Sequence, residues 1–210
     1  MDMELIHDLR MPVQLIQASA QMLGLVANGG EAREYLEMLL EGVGQLNRLL
    51  DGALEAGVRC RPCRVEIVDR MRTLCLRCRD CAEQRGIGLR FTANVAALEL
   101  VTDPDRLERS VLNLIMNALR FSPPGGAVDV NCAALGDYLE ISVSDAGPGI
   151  APERAPYIFL RGETDGGRGY GLPSAMDCAR ALGGSLSVRS APGCGSTFTL
   201  RLPVHGTMVS

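Results

Sequence analysis

The sequence has no tryptophan, only two histidines, and no signal peptide at its start. It also lacks an apolar run of the length that a membrane span requires, about 20 residues. The net charge of −4 argues against a nucleic-acid partner, which would need a basic stripe. These absences predict a cytoplasmic chain that binds no nucleic acid.

Two common phosphate-binding motifs are also missing. The sequence contains no G-x-x-x-x-G-K-[ST], which excludes a P-loop, and no G-x-G-x-x-G, which excludes the dinucleotide fingerprint. With 210 residues the chain is long enough for one or two domains with real cores. Any phosphate chemistry must therefore come from another arrangement of residues.

Eight cysteines are present, and five of them form overlapping C-x-x-C spacings: Cys60, Cys63, Cys75, Cys78 and Cys81. Such spacings suit a zinc or iron–sulfur site or redox chemistry. However, two of these cysteines fall beside apolar residues at helical spacing, and free cysteine is often buried. We favour reduced core thiols in a cytoplasmic compartment over a metal site.

Residues 1–58 are predicted to form a helical hairpin. Apolar residues recur in steps of three and four on either side of a break at Asn28-Gly-Gly30, which is typical of a bundle seam. Two helices bury little surface, so we expect a second copy to complete a four-helix bundle, giving a homodimer. The alternative is a monomeric hairpin that packs on the rest of the chain.

His7 lies one residue past the seam position Ile6, about 100° round the helix. We therefore expect its imidazole on the flank of the bundle, where a reagent can reach it. Asp8 follows directly, and a carboxylate beside an imidazole can orient the ring and take its proton. Pro12 loosens the helix one turn further on. The alternative is an ordinary solvated histidine.

Residues 64–205 are predicted to form a second domain, an α/β sandwich in which helices cover one face of a mixed sheet. Asp103 should cap a helix that has Pro104 in its first turn. Helices are expected over 66–85, from Asp103 to Ser122, and after Leu172; strands are expected at 87–93, 97–102, 127–133, 138–144, 185–189 and 196–202. The fold class is thus α+β, a helical hairpin followed by a sandwich.

The helix after Asp103 carries Asn113 and Asn117 four residues apart, on one face, followed by Arg120 and Phe121. Amide oxygens are hard ligands that suit magnesium, and arginine pairs with phosphate oxygens. This combination suggests a site for a metal-bound polyphosphate. Taken alone, the same residues are equally consistent with the polar face of an ordinary helix.

Three glycine clusters lie where strands and helices are predicted to begin or end. Asp145-Ala-Gly147-Pro-Gly149 follows a strand, Gly169-Tyr-Gly171-Leu172 precedes a helix, and Gly193-Cys-Gly195-Ser-Thr197 opens the last strand. Bare N–H groups before a helix are favourable for anions. Each cluster alone could be a tight turn.

Together these motifs resemble those of the catalytic core of a bacterial sensor histidine kinase, over nearly all of the chain. His7-Asp8-Leu9-Arg10-x-Pro12 resembles the H box. Asn113 to Phe121 resembles the N box, and Asp145 to Gly149 resembles the first glycine box, G1. Phe159 resembles the F box, and Gly169 to Leu172 resembles the second glycine box, G2. The resemblance implies an ATP-binding fold shared with gyrase, MutL and heat-shock chaperones.

The resemblance also implies roles for individual residues. His7 would accept the phosphoryl group and Asp8 would act as its general base. Asn117 would bind Mg²⁺ with the help of Asn113, and Arg120 would contact the phosphates. Phe121 would lie near the nucleoside, and Asp145 would accept from the adenine amino group, with Thr197 nearby. The residues around a movable lid would be Gly147, Gly149, Gly169, Gly171 and Leu172. The partner of the dimer would be the receiver domain of a response regulator.

Three positions refine the resemblance. Related ATPases carry a water-activating glutamate where this chain has Asn113, which favours phosphoryl transfer over hydrolysis. Met11 replaces the Thr or Asn of bifunctional kinases, so we expect weak or absent phosphatase activity. Gly162 replaces the second Phe of the F box.

The alternatives to a histidine kinase are an ATPase or serine kinase of the same fold, or a scaffold that only binds ATP. We expect a longer native protein, whose sensor region would supply any membrane attachment.

Overall fold

The computed structural model describes residues 62–160 and 171–204. The chain divides into two units, Met1–Arg61 and Pro62–Ser210, and all of the described residues belong to the second. The predicted hairpin with His7 and Asp8 lies outside the described residues. The segment that contains Gly162 and Gly169 also lies outside them.

The described residues form three helices and seven strands. In chain order these are β1 (Cys63–Glu66), α1 (Ile67–Gln84), β2 (Gly88–Ala93), β3 (Glu99–Thr102), α2 (Pro104–Phe121), β4 (Ala127–Leu135), β5 (Tyr138–Asp145), α3 (Gly171–Ala181), β6 (Ser185–Ser190) and β7 (Ser196–Pro203). The helices and longer strands agree with the predicted ranges to within one or two residues.

Five strands form one mixed sheet in the order β2-β4-β5-β7-β6. Strands β2 and β4 run parallel, and the other neighbours run antiparallel. Strands β1 and β3 form a separate antiparallel pair. In the sheet, β5 and β7 are adjacent, which brings the two glycine clusters at the end of β5 and the start of β7 together.

The core lies between the helices and one face of this sheet. Over most of β4 and β5 every second residue is buried, including Val130 and Ile141, while Asp129 and Asn131 point to the other, more exposed face. The buried faces of α1, α2 and α3 belong to the same core. The predicted mixed sheet with helices on one face is confirmed.

Two acidic side chains fix the starts of the first two helices. Asp103 Oδ1 accepts hydrogen bonds from the backbone N–H groups of Asp105 and Arg106, both at 3.1 Å, so the predicted cap of α2 is confirmed. Glu66 caps α1 and also accepts from the N–H of Leu98 at 2.8 Å. Neither this second cap nor strand β1 was among the predictions.

Candidate functional site

Helix α2 presents two faces. Its buried face includes Leu114, Ile115 and Leu119, each no more than 1% exposed. Asn113 and Asn117 lie one turn apart and are both half-buried. Two amide oxygens on one partly open face are chemically suitable ligands for Mg²⁺, which prefers oxygen and keeps several of its waters. The residues present therefore fit the expected metal.

Positive charge collects where α2 ends. The guanidinium carbon of Arg120 lies 5.2 Å from the ring centroid of Phe121, and Phe121 is 37% exposed. Burial, together with the nearby charge of Arg85, lowers the pKa of Arg120. Arg85 Nη2 also donates to the carbonyl oxygen of Arg120 at 3.3 Å. Two neighbouring guanidinium groups favour the binding of an anion such as a phosphate.

Asp145, the last residue of β5, has a carboxylate that the backbone orients. Its Oδ1 accepts from the N–H of Gly147 at 2.8 Å and from the N–H of Ser196 at 3.1 Å. Burial raises the pKa of Asp145, although these hydrogen bonds oppose the shift. A carboxylate held in this way is prepared to accept a hydrogen bond from a ligand donor.

Gly147 brings the end of α2 to the end of β5. A Cβ atom at this position would lie 2.8 Å from Asp145 Oδ1 and 3.0 Å from the carbonyl oxygen of Phe121. The N–H of Ala146 also donates to Ser122 Oγ at 3.3 Å. The predicted site residues Phe121, Asp145 and Gly147 are therefore neighbours in the structure, and only glycine fits between the other two.

The loops Asp145–Ile150 and Ser190–Ser196, here called the paired glycine loops, pack directly against each other. Gly149 and Gly195 both have positive φ, +73° and +71°. A methyl group on the first would overlap the carbonyl oxygen of Ala191, and one on the second that of Asp145. Gly149 and Gly195 thus have a structural reason to be glycine, namely the contact between the loops.

Thr197 does not lie beside the Asp145 side chain. Residues directly opposite each other on neighbouring strands point to the same face of a sheet, and Asp145 is opposite Ser196. Thr197 is opposite Ser144, and their hydroxyl oxygens lie 2.9 Å apart. The structure therefore places Thr197 on the outer face, and Ser196 is the hydroxyl residue on the side of Asp145.

Helix α3 begins beside α2. Ser110 Oγ donates to the carbonyl oxygen of Ala175 at 3.1 Å, which joins the two helices inside the core. Leu172 is buried, whereas a side chain at Gly171 would meet open space. The structure therefore gives no steric reason for glycine at position 171, while Leu172 packs in the core.

Phe159, the predicted F-box residue, packs on the core. Its ring meets that of Phe198 edge to face, with centroids 6.4 Å apart. The buried side chain of Ile158 joins the same core. These contacts fix the residues just before the segment 161–170.

Four cysteines of the described residues are buried: Cys75, Cys78, Cys132 and Cys178. Burial raises the pKa of Cys75 to about 11 and, with smaller effects of nearby charges, that of Cys78 to about 12. No group of three His, Cys, Asp or Glu side chains in residues 62–160 and 171–204 could hold a metal. Protonated buried thiols support the interpretation of these residues as core.

None of the helices in the described part of the chain is long and apolar enough to cross a membrane.

A comparison with protein families matches residues 102–206, half of the chain, to the histidine kinase-, DNA gyrase B- and HSP90-like ATPases. The matched range begins just before α2 and includes the two carboxamides, Asp145 and the paired glycine loops.

Two curated relatives are sensor proteins of bacteria. Sensor histidine kinase ZraS of Escherichia coli (strain K12) is 35% identical over 96% of this chain and 44% of its own length. Sensor protein SrrB of Staphylococcus aureus (strain MRSA252) is 30% identical over 94% of this chain and 36% of its own length. The chain thus spans less than half the length of these relatives.

Solved structures show the same architecture. Full-length ShkA in complex with AMPPNP has a TM-score of 0.70 and 25% identity, covering 98% of this chain and 46% of that one. The mycobacterial sensor histidine kinase MprB has a TM-score of 0.60 and 28% identity, covering 68% of this chain and 97% of that one.

Proposed function

Because the chain belongs to the histidine kinase-, DNA gyrase B- and HSP90-like ATPase family and is homologous to sensor histidine kinases, we propose that it is an ATP-dependent protein-histidine kinase. The chain phosphorylates itself on His7 and passes the phosphoryl group to an aspartate of a response-regulator receiver domain. It acts as a homodimer that forms through its first 58 residues, on the cytoplasmic side of the membrane.

The observation that carries this proposal is the fixed carboxylate of Asp145. Two backbone N–H groups hold Oδ1, so the carboxylate has a defined direction from which to accept a hydrogen bond of the adenine amino group. Phe121 and Gly147 lie against the same residue. An aromatic side chain and a glycine provide an apolar wall and close approach for the nucleoside.

The phosphate end of the site is provided by α2. Asn117, assisted by Asn113, would hold Mg²⁺, and Arg120 would pair with the phosphates. When bound, Mg²⁺ neutralises charge on the phosphates during transfer. The residues of the chain orient the terminal phosphoryl group, and positioning supplies much of the catalysis.

The transfer itself exchanges one bond for another. A nitrogen of the His7 imidazole forms a bond to the terminal phosphorus while the bond from that phosphorus to the bridging oxygen of ADP breaks. Asp8 accepts the proton from the other ring nitrogen. Asn113 occupies the place of the water-activating glutamate of related ATPases, and an amide is not a base near neutral pH. Transfer to histidine is therefore favoured over hydrolysis.

Labelling of the full chain with ATP carrying a radioactive terminal phosphate tests this function. We expect a protein-bound label that is labile in acid and stable in base, and that is lost in His7→Gln. His205→Gln changes the only other histidine and should keep the label. Three outcomes would contradict the proposal. A label on serine would identify a serine kinase, and free phosphate without labelled protein would identify an ATPase. Bound ATP without turnover would identify a scaffold.

A pair of carboxamide variants tests the metal site. Asn117→Ala should abolish Mg²⁺-dependent labelling, whereas Asn131→Ala, on the outer face of the sheet where Asn131 pairs with Thr92, should not.

Mixing His7→Gln chains with Asn117→Ala chains tests the dimer. Label in the mixture shows transfer between subunits; its absence, with both variants dimeric, shows transfer within a subunit. Two monomeric variants would contradict the homodimer.

A further inference from the structure

The hydroxyl group of Ser190 lies at the centre of the paired glycine loops. Its oxygen accepts from the backbone N–H of Ile150 at 2.8 Å and lies 2.7 Å from the carbonyl oxygen of Gly195, to which it donates. It also lies 3.0 Å from Ser196 Oγ. A serine hydroxyl has one proton to donate and two positions at which to accept. Ser190 donates its one proton to Gly195 and accepts from Ile150, and Ser196 Oγ lies within hydrogen-bond distance as a third contact.

These partners belong to both loops. Ile150 ends the loop that follows Asp145, and Gly195 and Ser196 end the loop that leads into β7. The loops also meet through the hydrogen bond from Gly193 N to the carbonyl oxygen of Pro148, at 2.7 Å, through that from Ser196 N to Asp145 Oδ1, and through close glycine packing. The side chain of Ser190 therefore ties together two segments that have little regular hydrogen bonding of their own.

The same contacts lead to the carboxylate of Asp145. Ser190 is paired with Ser196 between β6 and β7, and Ser196 is paired with Asp145 between β7 and β5. The N–H of Ser196 donates to Asp145 Oδ1. A displacement of Ser196 or of the Asp145–Ile150 loop would therefore change the direction of the carboxylate.

We infer that Ser190 is a positioning residue for recognition of the nucleotide base: it holds both loops so that Asp145 faces the exocyclic amine of adenine. This inference rests on the proposed function, because it assumes that Asp145 receives the base. Ser190 contacts Ile150, Gly195 and Ser196, and it acts on the base through them. Its contribution is selectivity for a base with an amine at that position.

Removal of the hydroxyl should affect ATP and GTP differently. Ser190→Ala leaves the N–H of Ile150 without its acceptor, a loss on the order of tenfold in affinity for a ligand that depends on the loops. GTP carries a carbonyl oxygen where ATP carries the amine, so GTP gains nothing from a correctly directed carboxylate. We expect weaker binding of ATP and little change in the binding of GTP. The ratio of the GTP dissociation constant to the ATP dissociation constant should therefore become smaller.

The experiment measures dissociation constants of Mg²⁺-ATP and Mg²⁺-GTP for the full chain by calorimetry. Ser190→Ala should reduce the ratio of the GTP to the ATP dissociation constant about tenfold. Ser190→Thr should keep the native ratio. Ser187 is an exposed serine of the same strand, and Ser187→Ala should leave the ratio unchanged. Ser190→Cys, nearly the same size with a weak donor, provides a second test if the alanine variant unfolds. An unchanged ratio, or equal losses for both nucleotides, overturns the inference.

Asp145→Asn, measured in the same way, separates this inference from the proposed function. If the native chain binds no ATP, both fail. If the native chain binds ATP and Asp145→Asn loses the preference while Ser190→Ala keeps it, the site stands and only the role of Ser190 is refuted. If both variants lose the preference, and Ser190→Thr keeps it, the positioning role is supported.

Discussion

Ser196 lies directly opposite Asp145 across strands β7 and β5, and its backbone N–H donates to the carboxylate at 3.1 Å. The two residues stand at the ends of strands that come from different parts of the sequence. Their pairing joins the two glycine clusters into one structure. It also decides which hydroxyl residue of the last strand can influence the carboxylate.

The first prediction compares the two neighbouring hydroxyl residues of β7. Ser196→Ala should weaken ATP binding by roughly tenfold, because its hydroxyl group hydrogen-bonds the Asp145 carboxylate and lies 3.0 Å from Ser190 Oγ. Thr197→Val should leave ATP affinity unchanged, because Thr197 contacts Ser144 on the outer face. Calorimetric titration with Mg²⁺-ATP checks both variants, and the opposite order of effects would return the site role to Thr197.

Much of the sandwich could be predicted because its signals are local. The period of α2, the Asp103 cap and the alternation in β5 each depend on residues close together in sequence. Strand β1 was missed because it has four residues, of which only Val65 is buried. The Glu66 cap was missed because one of its partners, Leu98, is distant in sequence, and glutamate is not among the residues that usually cap helices.

The candidate site shows the same limit. The resemblance implied Thr197 near Asp145, but the structure has Ser196, the adjacent residue, opposite Asp145 and Thr197 on the other face. That choice depends on the register between β5 and β7, and a shift of one residue moves every side chain to the other face. Register between distant strands is a tertiary property. Ser190 was missed for a related reason, since its partners lie on both loops.

The second prediction compares two glycines of one turn. Gly193 and Gly195 both have positive φ, but a methyl group would meet open space on the first and the backbone of Asp145 on the second. Gly193→Ala should cost about 1–2 kcal/mol of unfolding free energy, the cost of that backbone conformation. Gly195→Ala should cost about 1–3 kcal/mol more, since the loops must separate. Urea unfolding measures both, and equal costs would contradict the close packing of the loops.

The third prediction concerns the thiols. Cys63 and Cys194 are exposed, whereas Cys75, Cys78 and Cys132 are buried. Burial, the main cause, raises the pKa of Cys132 to about 11, and raises those of the other two to similar or higher values. Because the thiolate is the reactive form, an alkylating reagent at about pH 8 should modify only the exposed pair of these five. Peptide mapping by mass spectrometry checks this, with urea-unfolded chain as the control.

The fourth prediction follows from the raised pKa of Asp145. A carboxyl whose pKa is higher in the folded than in the unfolded state favours folding only while protonated. Its contribution is complete below the unfolded value, about 3.9, and is lost as the pH rises through the folded value. Asp145→Asn carries no charge, and its amide oxygen can still accept from Gly147 and Ser196. The variant should therefore gain stability relative to the native chain as the pH rises.

Urea unfolding at several values between about pH 4 and pH 7.5 measures this difference. The free-energy gap between Asp145→Asn and the native chain should widen with pH, and Asp137→Asn, at an exposed turn carboxylate, is the matched control. A gap independent of pH would mean that burial does not oppose the charge of Asp145. The stabilised variant should at the same time lose its preference for ATP, because an amide nitrogen would face the adenine amine. Greater stability with weaker binding would show that the native chain keeps a half-buried charge for recognition of its ligand.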